Sequence, residues 1–165
     1  MPRLLLFAVF SLFYTIIPTP TQAQPRMEAS PMTTLSFRLR PGQDLKTELD
    51  NVVKQRRIEA GLLLTGVGSL TDVSLRLANQ EGATTYRGHF EIVSLVGTLS
   101  TNGSHLHLAV SDSTGRTLGG HLMPGNKIYT TAEIVIGILP NVVYAREPDP
   151  TFGYRELVVK KRKSE

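Results

Sequence analysis

The chain has 165 residues, a formal net charge of +4 and no cysteine. This length suits one domain and excludes an array of several, and a domain of this size buries an adequate core without disulfides. The basic excess is local, because residues 24–159 contain 13 basic and 13 acidic side chains. It lies mainly in the terminal run Lys160, Lys161, Arg162 and Lys163. The chain therefore lacks the broad basic surface that is typical of nucleic-acid-binding domains.

The first 23 residues have the order of a secretory signal peptide. Met-Pro-Arg is a short basic start, Leu4–Ile17 is an apolar run that ends before prolines, and Thr21-Gln22-Ala23 offers a small-residue cleavage site. An uncleaved membrane anchor is the alternative, but the apolar run is short for a bilayer span. We expect cleavage after Ala23 and no membrane span in the mature chain. We therefore expect an exported protein, either periplasmic or secreted.

The mature chain is predicted to contain a linker at 24–33, one α+β domain at 34–159 and a basic C-terminal tail at 160–165. A strand at Thr34–Arg40 is followed by one amphipathic helix that ends near Arg57, because Leu45, Leu49, Val52 and Val53 recur at helical spacing. Gly66 and Gly68 are predicted to be turn residues. Short alternating segments then predict a mostly antiparallel sheet, with strands at 62–67, 72–78, 84–87, 89–99, 104–111, 116–122, 127–139, 142–145 and 154–159.

Three of the four histidines lie in the stretch from Gly103 to His121. His105 and His107 are two positions apart in a predicted strand, so both side chains point to the same face. A three-residue loop at 113–115, closed by glycine, would place His121 opposite His107 in the next strand. A two-residue loop would shift the register by one and turn His121 to the other face. Gly119-Gly120 is interpreted as a bulge or as room for a ligand beside the backbone.

Three neutral imidazoles with an open fourth position form the ligand set of a catalytic-type zinc centre. We therefore predict a divalent metal, zinc first, at His105, His107 and His121. The alternative is that these histidines are polar-face strand residues or lie in a subunit interface. Glu133 is the candidate catalytic residue, as a general base for metal-bound water or a carboxylate behind a ligand, although a structural hydrogen bond in the sheet is favoured for it.

Other charged residues have plainer interpretations. Arg76 either binds an anion at a subunit boundary or pairs with an acidic neighbour, and Arg146 is expected to pair with Asp149 near the C-terminus. His89, near the start of a predicted strand, is expected at the surface.

Several segments together resemble one family. They are the runs 66–70, 73–77, 86–99 (Tyr-Arg-Gly-His-Phe-Glu-Ile-Val-Ser-Leu-Val-Gly-Thr-Leu), 118–122 (Leu-Gly-Gly-His-Leu), 133–136 and 145–149 (Ala-Arg-Glu-Pro-Asp). In order and spacing this set resembles the PPC domain, named for plants and prokaryotes, from about Leu35 through Leu157. The resemblance implies a compact domain that assembles as a homotrimer. It also brings a DNA-binding label, which belongs to plant members with AT-hooks; this chain has no Arg-Gly-Arg-Pro hook and has a predicted leader.

These observations favour an exported trimer that binds a metal or a small ligand through three histidines, with itself and a small molecule or anion as partners. A binding protein is preferred to an enzyme. A metal-dependent hydrolase is the second hypothesis, and nucleic-acid binding, through the basic tail and the trimer surface, is the third.

Overall fold

The computed structural model describes residues 27–151 and 153–163. The predicted signal peptide lies outside these residues. The described part contains one helix and eight strands: β1 Thr33–Leu39, α1 Leu45–Gln55, β2 Gly61–Arg76, β3 Thr84–Leu99, β4 His105–Asp112, β5 Thr117–Leu122, β6 Lys127–Ile138, β7 Val142–Pro148 and β8 Arg155–Lys161. The prediction of an α+β domain with a mostly antiparallel sheet and one main helix is confirmed. No helix among the described residues is long and apolar enough to cross a bilayer.

Strand β2 organises the main sheet, in which six strands follow the order β1-β6-β2-β3-β4-β5. Most of β2 lies between β6 and β3. On the side that β6 occupies elsewhere, its last two residues, Leu75 and Arg76, pair with Leu122 and His121 of β5. This second pairing closes β2, β3, β4 and β5 on one another and brings Arg76 beside His121.

The glycines of β2 and β3 do not separate strands, contrary to the sequence-based expectation. Segment 62–67 and most of segment 72–78 lie in the single strand β2, which ends at Arg76, and segments 84–87 and 89–99 lie in the single strand β3. Gly66 and Gly68 lie inside β2, so their assignment to turns was wrong. A Cβ at Gly66 would lie 2.7 Å from Leu95 Cδ2, and one at Gly68 would lie 2.1 Å from the Thr131 carbonyl oxygen. These glycines therefore permit close approach between neighbouring strands.

Helix α1 begins at a clear N-cap and packs on the sheet. One carboxylate oxygen of Asp44 accepts from the Thr47 backbone N–H at 3.0 Å, and the other accepts from the Gly125 N–H at 2.7 Å. The cap therefore satisfies a free helix N–H and also fixes the loop after β5. The helix buries Leu45, Leu49 and Val53 against the apolar face of the sheet, and hydrophobic burial of this kind is the dominant favourable term in folding.

The C-terminal hairpin of β7 and β8 is a separate two-stranded sheet. Asn102 Nδ2 and Ser100 Oγ both donate to the Tyr144 carbonyl oxygen, at 3.1 and 2.8 Å, and hold β7 beside the loop before β4. The basic tail was predicted at 160–165, but Lys160 and Lys161 belong to β8, where they pair with Val143 and Val142.

Candidate metal centre

Strands β4 and β5 form the hairpin that carries the three histidines. His107 pairs with His121 and Ser111 pairs with Thr117, so the predicted register is confirmed. The turn is the expected one: the Gly115 N–H donates to the Asp112 carbonyl oxygen at 2.9 Å, and Gly115 has φ of +83°. Leu106, Leu108 and Val110 of β4 point into the core. The alternating histidines therefore face away from it.

The three imidazoles converge. His105 Nε2 lies 3.2 Å from His121 Nδ1 and 3.2 Å from His107 Nε2. One ring nitrogen from each histidine can be chosen so that all three lie within 4.8 Å of one another. His105 and His121 are half-buried and His107 is exposed. The cluster is thus open to solvent on one side.

These distances suit a shared metal better than a hydrogen-bonded cluster. A neutral Nε2 offers either one proton or one lone pair, so His105 cannot form two good hydrogen bonds through that atom. Two imidazole nitrogens on one tetrahedral zinc lie about 3.3 Å apart, because each zinc–nitrogen bond is about 2.0–2.1 Å long. Both short contacts of His105 are close to that separation. The donor set therefore fits a divalent metal.

Burial and two arginines favour the neutral form of the cluster. Burial lowers the pKa of His105 from its usual 6.5, and the positive charges of Arg146 and then His107 lower it further, against an opposing effect of Glu156. Burial likewise lowers the pKa of His121, with Arg76 as the next cause. Since only the neutral imidazole binds a metal, both lowered pKa values favour the form of His105 and His121 that can act as a ligand.

The adjacent glycines of β5, Gly119 and Gly120, allow the backbone to pack closely. No register shift interrupts the pairing of β4 with β5, so the interpretation as a bulge in that pair was wrong. A Cβ at Gly120 would lie 2.8 Å from the Arg76 carbonyl oxygen, so Gly120 permits the close approach of β5 to the end of β2. Buried Asn126 fixes the same end of β2, since its amide bonds the Ser74 N–H and carbonyl oxygen, each at 3.0 Å.

The structure does not bring Glu133 to the histidines of its own chain. Glu133 is exposed on β6, where it pairs with Arg38 of β1 and Val67 of β2. Strands β2 and β3 separate β6 from β4, which amounts to three strand spacings of about 4.8 Å each. His89 is exposed as expected, and its ring contacts that of Tyr129 with 4.4 Å between centroids.

Sequence reasoning missed the surroundings of the cluster. No ion pair forms between Arg146 and Asp149 in the part of the chain that the structure describes. Asp149 accepts from the Thr151 N–H instead, and Arg146 lies over Gly103 beside His105. No signal in the sequence placed β7 beside the loop before β4, because these segments are distant along the chain and meet only in the folded protein.

The fold and the cluster define a class: α+β domains with an antiparallel sheet that presents imidazoles on its outer face. Residues 26–140 match the Plants and Prokaryotes Conserved (PCC) domain. The chain belongs to this family, which is the one named PPC above.

The chain is also similar to individual proteins. A curated relative, a protein named bifunctional protein GlmU from Synechococcus sp. strain JA-2-3B'a(2-13), is 47% identical over 84% of this chain. The chain spans about a fifth of the length of the curated relatives it matches (22% and 20%). The structure of a hypothetical protein from Salmonella enterica has a TM-score of 0.81 and 46% identity, and the match covers 82% of this chain and 99% of that one. A protein from Archaeoglobus fulgidus, described as metal-containing, has a TM-score of 0.67 at 20% identity, covering 80% and 99%.

Proposed function

We propose that this chain is a metal-binding protein of the PCC family that holds zinc through His105, His107 and His121. The observation that carries the proposal is the pair of 3.2 Å contacts that His105 Nε2 makes with the other two imidazoles. Zinc is favoured because it accepts three imidazoles and a fourth, exchangeable ligand in tetrahedral geometry. The description of the Archaeoglobus fulgidus protein as metal-containing also supports the proposal of metal binding.

The proposal includes the setting in which the protein works. The predicted leader supports export to the periplasm or beyond, and the family resemblance supports a homotrimer.

We favour a binding role over hydrolysis, since Glu133 lies three strands from the cluster within one chain and an activated water needs a base within hydrogen-bond reach. Nucleic-acid binding ranks lower because part of the basic run is already paired: Lys160 Nζ contacts Glu147 Oε1 at 2.5 Å and Arg162 contacts Glu59.

Metal analysis of histidine variants tests the proposal. In His105→Ala, His107→Ala and His121→Ala, zinc affinity should fall by at least about 100-fold, because even loss of an outer-shell partner typically costs 10–100-fold. Circular dichroism should stay unchanged, since the cluster lies outside the core. The measurement is zinc content by mass spectrometry after dialysis of untagged protein.

The matched control is His89→Ala. This residue is also an exposed strand histidine, but it lies against Tyr129 and outside the cluster, so its loss should leave zinc content unchanged. Wild-type protein that binds no zinc, or alanine variants that keep wild-type zinc, would overturn the proposal.

A further inference from the structure

A large cleft adjoins the histidine cluster. Its volume is about 840 Å³, and His105 and His121 form part of its wall. The end of β2, the start of β4 and the end of β5 contribute one side, and the hairpin of β7 and β8 contributes the other. A metal on the three imidazoles would therefore lie at the edge of a space large enough for a small organic molecule.

The cleft carries an excess of positive charge. Its charged side chains are Lys46, Arg76, Arg146, Arg155, Glu81 and Glu156, four basic and two acidic. Lys46 is paired with Asp50, and the Arg155 guanidinium donates to the Arg146 carbonyl oxygen.

Two of these cations, Arg76 and Arg146, are arginines that the fold partly buries. Within the described residues, neither Arg76 nor Arg146 forms an ion pair. Arg76 makes only a long 3.4 Å contact from Nη1 to the Gln80 carbonyl oxygen. Both arginines are half-buried. A half-buried guanidinium without an ionic partner has lost part of its hydration without the compensation of a paired charge.

The two arginines approach the cluster from different elements. Arg76 pairs with His121 through the backbone, and Arg146 reaches the opposite wall from β7. Both arginines line the same cleft as His105 and His121. A divalent metal at the cluster would add two further positive charges at short range. An anion at this place would offset the accumulated positive charge.

We propose that Arg76 and Arg146 bind an oxyanion, a carboxylate or a phosphate group of a small molecule, that takes the open coordination position of the metal. This inference rests on the proposed metal-binding function. The planar guanidinium forks match the two oxygens of a carboxylate or phosphate, and the metal accepts a third contact from the same group. The remaining volume of the cleft holds the body of the ligand. Glu81 and Glu156 at the exposed rim disfavour ligands with negative charge at both ends.

Calorimetric titration of the zinc-loaded protein tests the assignment. Inorganic phosphate and acetate are the probes, each titrated into wild type, Arg76→Gln, Arg146→Gln and the control Arg87→Gln. Arg87 is an exposed strand arginine paired with Asp72 outside the cleft. We expect each cleft variant to weaken binding of the preferred probe about tenfold or more, as for loss of a charge-assisted contact, while Arg87→Gln leaves it unchanged.

The two probes identify the source of the oxyanion, and zinc content separates the two proposals. Binding of phosphate alone assigns a phosphate compound, and binding of acetate alone assigns a carboxylic acid. If zinc is bound but neither probe binds, or both cleft variants bind the probe as wild type does, the anion site is refuted and the metal site stands. If wild type binds no zinc, both proposals fail.

Discussion

The residues of the histidine cluster differ in their surroundings, and the difference has a measurable effect. His105 and His121 are half-buried, and each has an arginine close by. Both influences disfavour the imidazolium form. The folded protein therefore binds fewer protons than the unfolded chain just below pH 6.5. By linkage, the metal-free protein should lose stability as the pH falls through this range.

Proton titration followed by NMR should show the arginine effect directly. In metal-free wild type we expect pKa values below 6.5 for His105 and His121. Removal of the Arg146 charge in Arg146→Gln favours the protonated ring, so the pKa of His105 should rise. Arg87→Gln should leave it unchanged. A His105 pKa that does not respond to Arg146→Gln would contradict this account of its electrostatics.

Gly97 shows how tightly the backbone is packed behind the cluster. Its φ is +144°, and a Cβ there would lie 2.0 Å from the His105 carbonyl oxygen. We expect Gly97→Ala to lower the free energy of unfolding by about 1–3 kcal/mol through strain and overpacking. Urea denaturation measures this change.

The control for Gly97 is Gly82→Ala, since a Cβ at Gly82 meets nothing within 4 Å. That variant should match wild type within about 0.5 kcal/mol, as is usual for surface substitutions. Equal stability of the Gly97 and Gly82 variants would show that β3 relaxes away from β4 at no cost.

At the scale of elements, the length of the β4–β5 turn determines whether the three histidines share one face of the hairpin. Asp112 Oδ1 accepts from the Thr114 N–H at 2.9 Å and from the Arg116 N–H at 3.1 Å, which holds a loop of three residues. The pairing of His107 with His121 depends on that length, because side chains alternate between faces at every residue.

Deletion of Ser113 should therefore abolish zinc binding. A loop shortened by one residue shifts β5 by one position, so that His121 leaves the face of His105 and His107. Zinc content after dialysis is the measurement. Ser113→Ala keeps the loop length and should bind zinc as wild type does, whereas full zinc binding by the deletion variant would disprove the dependence on register.

The part of the site that was predictable is the part encoded locally. The hairpin register follows from alternation in β4, a glycine at 115 and a short loop, all within the stretch from Gly103 to His121. The length of β2 was not predictable, because Gly66 and Gly68 look like breaks until Leu95 and Thr131 are seen against them. The arginines were missed as partners of the cluster for the same reason: their position depends on pairings between distant segments.

At the scale of the whole molecule, the outer face of β2 and β3 is apolar although it is exposed. Its large side chains are Leu64, Val67, Val93 and Val96, exposed by 40%, 51%, 60% and 50%. Val96 pairs with His107, so this face extends to the cluster. A continuous apolar face on central strands is typical of a surface that is covered by another subunit, which agrees with the trimer that the family resemblance implies.

Light scattering should therefore report about three subunits per particle. Val93→Lys places a charge on the apolar face and should shift the protein towards monomers. Thr85→Lys adds the same charge at an exposed site near the start of β3 and should leave the mass unchanged. A wild-type monomer at micromolar concentration would refute the trimer.

The double pairing of β2 also affects the order of events during folding. The three metal ligands all lie in the β4–β5 hairpin, and a hairpin closes locally within about 1–10 μs. Arg76 reaches His121 only by closing a segment of 45 positions, and Arg146 arrives later still, on β7. Since distant pairings form more slowly than local ones, we expect the imidazoles to come together before the arginines reach them, so that the metal enters while the cleft is still incomplete.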